Sequence, residues 1–228
     1  MHAVILAAGE GSRMGARTAD VPKAFMTIDG RTLYDRQRAA VDDVVDGVTV
    51  VLGYAHENVR DGIASARAVI FEDWADYENA ESLRRGIEGI ADDVLVLNGD
   101  VVVAEAAVRR LVRRHEATGD SVVACLPGVQ EGDTAVRSDE RGRVVEYGLI
   151  PGPQHAGMGI VDRDHLGRAR AWLGQNCCEW YPGLYTAVET LAVTIPETQH
   201  VEINYPRDVA TARRRFPLGS ADELDAET

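Results

Sequence analysis

At 228 residues the chain is long enough to bury a sizeable core as one large domain or two small ones. Its net charge of −13 argues against a general nucleic-acid or anionic-membrane binder, because phosphate contacts need a basic surface. The basic residues are 23 arginines and a single lysine, Lys23; with so many acids this composition points to adaptation to high salt, or to GC-rich coding.

No apolar run is long enough to span a bilayer and no cleavable leader pattern is present, so a cytoplasmic protein without membrane insertion is expected. Three cysteines, two of them the neighbours Cys177 and Cys178, make neither a disulfide framework nor a metal pattern, and are expected as buried thiols.

In chain order, residues 3–6 are an apolar run suited to a buried strand, followed by the glycine-rich turn Gly9-Glu10-Gly11-Ser12-Arg13. Thr32 is placed to cap a helix reaching about Val45, with Leu33, Ala40, Val41, Val44 and Val45 on one stripe. Further strands are expected at 48–52, 68–71, 93–97 and 121–126, with helices at 56–65, 81–90 and 105–118 between them. Fully apolar strands alternating with helices predict a mostly parallel sheet covered on both faces, a three-layer α/β/α sandwich of Rossmann-like type. Ligands of such sheets bind beyond the carboxyl ends of the strands, which puts Gly9, Gly53 and Asp100 on one rim.

After Gly128 the pattern changes. Residues 134–138 and 143–147 read as a β-hairpin, 155–161 as a strand, 164–173 and 179–188 as short helices, 191–195 and 200–203 as strands, and 206–216 as a last helix. A single domain over residues 1–216 is expected, with a nucleotide-binding half (1–127), an acceptor-binding half (128–216) and an acidic, disordered tail at 217–228. No internal repeat is present, and in particular no hexapeptide array, which argues against a bifunctional acyl- and uridylyltransferase.

Three groups could carry chemistry. The two glycines free the backbone at 9–11 to direct several N–H groups into one concavity, and Arg13 and Lys23 add cationic side chains, a set suited to a triphosphate. The loop is not a P-loop, since no Gly-Lys-Ser/Thr follows at that spacing, and Gly15 falls one residue late for a dinucleotide fingerprint. Asp100 ends an apolar strand in Asn98-Gly99-Asp100, where the glycine lets a carboxylate project over the rim as a helix cap or as a ligand for Mg²⁺. Asn79 and Ser82, at a helix start, offer donors and acceptors able to read a pyrimidine edge, or simply form the first turn. His155, Trp172, Trp180 and Tyr181 are candidates for an acceptor pocket or for the core.

The order Leu6-Ala7-Ala8-Gly9-Glu10-Gly11-Ser12-Arg13, followed by Pro22-Lys23, resembles the signature of the nucleotidyltransferase superfamily that activates sugar phosphates and phospho-alcohols. That resemblance implies a nucleotide-diphospho-sugar transferase-like fold and Mg²⁺ as cofactor. It implies nucleotide binding by residues 6–12 with Asn98 and Gly99, and contact of Arg13 and Lys23 with the α-phosphate and the leaving pyrophosphate. Asn98-Gly99-Asp100 is similar to the family's magnesium motif, and Glu202-Ile-Asn-Tyr-Pro-Arg-Asp208 to its late motif Glu-Ile-Asp/Asn-Thr-Pro-Glu-Asp, which makes Asn204 the second metal ligand. Asn204 as a cap of the last helix is the other reading of that position. The stretch Asn79-Ala-Glu-Ser82-Leu83 resembles phosphocholine-type cytidylyltransferases, favouring CTP and a phosphorylated small-molecule acceptor. Two departures stand out: Ala16 replaces the usual proline, and Glu146-Tyr147 replaces the Glu-Lys that holds an acceptor phosphate. The alternatives are a sugar-1-phosphate or molybdopterin nucleotidyltransferase, and a non-catalytic nucleotide-binding regulator.

Overall fold

The computed structural model describes residues 1–63, 65–129 and 134–217. In chain order its elements are β1 (His2–Ala7), α1 (Leu33–Val41), β2 (Gly47–Leu52), β3 (Arg67–Ile70), α2 (Asn79–Gly86), β4 (Val94–Asn98), β5 (Val101–Val103), α3 (Glu105–Thr118), β6 (Ser121–Cys125), β7 (Ala135–Ser138), β8 (Val144–Gly148), β9 (His155–Val161), α4 (Leu166–Gln175), β10 (Thr190–Thr194), β11 (His200–Glu202) and α5 (Asp208–Arg215). Seven strands form one sheet in the order β10-β6-β9-β4-β1-β2-β3. All run parallel except β9, which is antiparallel to β4 and β6. The sheet is therefore mixed and mostly parallel.

Burial on both faces follows from the alternation along β1. Ala3, Ile5 and Ala7 belong to the core cluster that includes Tyr34 and Val41 of α1 and Val108 and Leu111 of α3. Val4 points the other way, into the cluster containing Leu83 of α2, Leu166 and Leu173 of α4, and the buried Tyr181 and Tyr185. Each large side chain buried this way contributes roughly 1.5–3 kcal/mol of transfer free energy. A third, smaller cluster joins Met14 of the glycine-rich loop to Val102 of β5, Ile203 after β11, and Val209 and Ala212 of α5. That cluster ties the loop physically to the chain around Asn204.

The elements that differ from their predicted bounds include three expected helices, in two of which glycine or proline intervenes. Thr32 caps α1 through a capping box with Asp35, yet the helix ends at Val41; Val44 and Val45 pack on the same cluster from a turn. Within the span predicted as a helix at 56–65, His56–Asn58 and Arg60–Ile63 form two 3-10 turns, with Gly62 inside the second, and residue 64 lies outside the described residues. Pro182 and Gly183 hold residues 181–186 as a 3-10 helix. The hairpin of β7 and β8 is present, and the short strand β5, which pairs with β11, was not expected. The predicted tail from residue 218 onward lies outside the described residues. Among the described residues no helix is long and apolar enough to cross a membrane.

Candidate active site

Strands β1, β2 and β4 end side by side, and their connections are stitched together by main-chain bonds: Tyr54 N–H to Ala8 O at 2.9 Å, and Gly99 N–H to Leu6 O at 2.9 Å. A side chain at residue 99 would place its Cβ 2.5 Å from that Leu6 oxygen, so glycine is what lets the end of β4 close onto β1. Gly11 adopts a left-handed φ of 68°, and a Cβ there would lie 2.7 Å from Cβ of Lys23. The loop thus folds tightly over the stem of Lys23 and is held by Thr18 Oγ1, which donates to Gly11 O at 3.0 Å. Leu6, Ala7, Gly9, Gly11, Arg13, Lys23, Asn79, Asn98, Gly99 and Asp100 line one cavity of about 340 Å³. Of the predicted loop residues, Ala8 lies buried beneath this cavity, while Glu10 and Ser12 are exposed and outside its lining.

Lys23 is the centre of the site. Its Nζ donates to Asp100 Oδ2 at 2.8 Å and to Asn204 Oδ1 at 3.1 Å, joining residues far apart in sequence. Asp100 is positioned by the buried Gln37 of α1, whose Nε2 donates to Asn98 O at 2.7 Å and Val101 O at 2.8 Å. Ile203 N–H donates to Asp100 O at 2.9 Å, which brings Asn204 alongside. Asn204 does not cap α5: its side-chain oxygen accepts from Lys23, and it is Asp208 Oδ2 that accepts the N–H groups of Asn204 and Tyr205 at 2.8 and 2.7 Å. Asp100 Oδ1 and Asn98 Oδ1 are buried without a partner among the described residues. An oxygen-only set that already gathers an ammonium, with a carboxylate oxygen left over, fits a hard divalent cation.

A second cavity, of about 310 Å³, shares Arg13, Asn79, Asn98 and Asp100 with the first and extends to Tyr147, Gln154, His155, Trp180, Glu202 and Asn204. His155 is 5% exposed, and its Nδ1 accepts Gly157 N–H at 3.3 Å, so the ring proton resides on Nε2, which has no partner among the described residues. Burial, reinforced by the charge of nearby His200, pushes the His155 imidazole down to about 3, so it is a neutral donor. Trp172 lines a neighbouring cavity of about 570 Å³ with Tyr147 and Trp180, whereas Tyr181 is fully buried core. Glu146 pairs with Arg137.

Asn79 and Ser82 are not brought together. Asn79 lines both site cavities, and its Oδ1 accepts Tyr181 N–H at 2.7 Å. Ser82 is 6% exposed, one turn further along α2, and lines neither. The cysteines also depart from expectation: Cys125 is buried, its thiol pushed up to about 12, but Cys177 is half-buried and Cys178 exposed. Gln37 and Gln154 are neighbours of the site that sequence reasoning missed, and Glu202, noted only as the start of the late motif, lines the second cavity.

At the opposite end of the sheet Asp93, His115 and Asp162 bring ligand atoms within 4.8 Å of one another. Arg163 already occupies this cluster, with Nε and Nη2 on the Asp93 carboxylate at 3.1 and 2.6 Å. Burial raises the Asp93 carboxyl, but the Arg163 bonds and His115 outweigh it and hold it at about 2. This is an ion-pair network, and its cation is Arg163.

Residues 3–179 match the model of the MobA-like NTP transferase domain. The CMP-5'-(3-aminopropyl)phosphonate synthase of Streptomyces rubellomurinus is 32% identical over 154 residues, which are 64% of this chain and 24% of that protein. The chain spans about a quarter to a third of the curated relatives that head the comparison. In structure it is similar to the CTP:phosphocholine cytidylyltransferase of Streptococcus pneumoniae, with a TM-score of 0.74 at 16% identity over 93% of this chain and 97% of the other. It is equally similar to the inositol-1-phosphate CTP transferase of T. maritima, with a TM-score of 0.74 at 16% identity over 99% and 94%. The glycine-rich loop, Lys23 and Asp100 all fall inside the matched segment, on the rim where that loop meets a carboxylate. The chain belongs to the family of MobA-like NTP transferase domains, nucleotidyltransferases with a Rossmann-like fold.

Proposed function

We propose that this chain is a Mg²⁺-dependent cytidylyltransferase that transfers CMP from CTP to a phosphorylated or phosphonylated small molecule. The observation that carries this reading is the junction of Lys23 with Asp100 and Asn204 beside the glycine-rich loop. CTP is favoured because the relatives and structural neighbours named above are CMP- or CTP-linked.

In the proposed reaction an oxygen of the acceptor's phosphate or phosphonate attacks the α-phosphorus of CTP, a new P–O bond forms, and the bond to the β-phosphate oxygen breaks, releasing pyrophosphate. The attacking group is already an anion, so no protein base is required. The backbone around Gly9 and Gly11 cradles the triphosphate, and Arg13 and Lys23 meet the negative charge that builds on the leaving group. Asp100 and Asn204 would hold Mg²⁺, which supplies charge neutralisation for the phosphates when bound.

Base choice is assigned to Asn79. Its oxygen is committed to Tyr181 N–H, so its amide orientation is fixed and the NH₂ is left as a donor toward the cavity. A fixed donor suits N3 of cytosine, an acceptor, and meets N3–H of uracil donor to donor. The test is pyrophosphate release with Mg²⁺, each of the four NTPs, and a panel of phospho- and phosphono-acceptors. Turnover with CTP preferred over UTP supports the reading; preference for another NTP replaces the base assignment; nucleotide binding without turnover would make the protein a regulator.

A further inference from the structure

The late motif of this chain departs from the pattern it resembles at two positions, Tyr205 for threonine and Arg207 for glutamate, and the structure shows the two departures acting on each other. The Arg207 guanidinium lies over the Tyr205 ring, 4.6 Å from its centroid, and the Arg13 guanidinium lies over the same ring at 5.4 Å. Two arginines on one exposed tyrosine, one residue beyond Asn204, form a concentrated positive charge on an acidic protein.

Neither arginine holds a short ion pair. Arg13 makes no hydrogen bond or ion pair among the described residues and lies against the ring. For Arg207 the nearest carboxylate oxygen is Asp208 Oδ1, 4.0 Å away, while Oδ2 of that carboxylate serves the Asn204 and Tyr205 N–H groups. The other cations on the connected cavities are committed: Lys23 to Asp100 and Asn204, and Arg215 to the carbonyls of Glu197 and His200. Lys23 is the chain's one lysine, and Tyr147 stands where the resemblance places an acceptor-phosphate lysine. Arg13 lines the two site cavities, whereas Arg207 lines a third, of about 330 Å³, that shares Gln154, Glu202 and Asn204 with the second.

We propose that Tyr205 braces a two-arginine anion clamp in which Arg13 serves the nucleotide and Arg207 binds the phosphate or phosphonate dianion of the acceptor. Stacking on the ring orders two long side chains before the anions arrive, which lowers the entropy lost on binding and leaves each planar fork free for bidentate contact. The inference rests on the nucleotidyltransferase reading for the identity of the second anion, and on the stack itself for the clamp.

The test titrates inorganic phosphate calorimetrically into the full chain holding Mg²⁺ and a non-hydrolysable CTP analogue, and separately titrates CTP. Arg207→Ala is expected to weaken phosphate about five- to tenfold and CTP less than twofold, with Arg207→Lys between wild type and alanine. Tyr205→Thr should weaken both ligands. Because Arg207 is 79% exposed, folding should survive; thermal melts check this, and Arg207→Gln serves if alanine fails. Unchanged phosphate affinity in Arg207→Ala, equal losses for phosphate and CTP, or no phosphate binding by the wild type would each overturn the clamp. A wild type that binds phosphate through Arg207 yet releases no pyrophosphate with any NTP and acceptor would leave the clamp standing and remove the transferase reading.

Discussion

Lys23→Met tests the centre of the site, because methionine keeps most of the stem under Gly11 and removes only the charge. The ammonium lies 2.8 Å from Asp100 Oδ2 and 3.1 Å from Asn204 Oδ1, and the two side chains of the ion pair are 12% and 23% exposed. Loss of a well-placed cation facing a leaving group costs about 2.7–4 kcal/mol in the transition state, or a fall of about 10²–10³ in turnover. Stability should fall by less, about 1–3 kcal/mol, from the carboxylate left without its partner. The oxygens that Lys23 occupies are those assigned to Mg²⁺, so the variant should need no more Mg²⁺ for half-maximal rate than the wild type. Pyrophosphate release across a Mg²⁺ titration reads both quantities. Turnover within about fivefold of wild type would remove Lys23 from the chemistry, and a Mg²⁺ requirement rising in step with the rate loss would show that Lys23 builds the metal site instead of serving the phosphates.

Asp100→Asn should reduce turnover by a factor similar to the lysine change and raise the Mg²⁺ needed, since an amide is a poorer ligand for a hard cation; retention of both would make Asp100 a purely structural residue. Lys23 is the one lysine of the sequence, so mass spectrometry after a lysine-directed acylating reagent should show an inactivating adduct there that Mg²⁺ with CTP prevents; inactivation without that adduct would place the damage elsewhere. Ser82→Ala should leave the CTP-to-UTP ratio unchanged within about twofold, whereas Asn79→Ala should shrink it by roughly ten- to a hundredfold and also lower the melting temperature, because the Tyr181 N–H loses its acceptor. The Asp93 carboxyl, held near 2 against an ordinary 3.8, gives stability that is complete above about pH 4 and is lost as pH falls toward 2. Arg163→Ala should lower stability at neutral pH and flatten that acid limb in chemical denaturation; an unaltered limb would assign it elsewhere.

The parallel core of the sheet was legible because β1, β2, β4 and β6 are apolar on both faces, a pattern that fully buried strands require. The loop, Lys23 and Asp100 were legible for a related reason: glycines at strand ends and a solitary lysine are costly to place without a use. What the sequence hid is mostly long-range. Nothing in Val101–Val103 announces a partner, and β5 becomes a strand because His200–Glu202 arrives to pair with it. Spacing on α2 placed Asn79 and Ser82 as one reading unit, but three residues of α-helix turn a side chain only partly back to the same face, and here Ser82 packs inward. The exposure of Cys177 and Cys178 was equally hidden. Cysteine composition favours burial, whereas position in the turn after α4 decides it.

The two ends of the sheet show opposite treatments of buried polarity. Where the strands begin, Asp93 receives the Arg163 guanidinium and backbone N–H, and His115 Nδ1–H donates to Asp120 O at 2.9 Å, so the network is closed on itself. Where the strands end, Asn98 Oδ1, Asp100 Oδ1, His155 Nε2 and His200 Nε2 are buried and unpartnered among the described residues, around the two cavities that share Asn204. An unmet buried polar atom costs about 1–3 kcal/mol, and a fold gains nothing from gathering several at one rim. Their concentration there, beside the Lys23–Asp100–Asn204 junction and the guanidinium groups of Arg13 and Arg207, has a physical account if anions and a metal complete them. The same atoms are then a local cost that ligands would offset on binding.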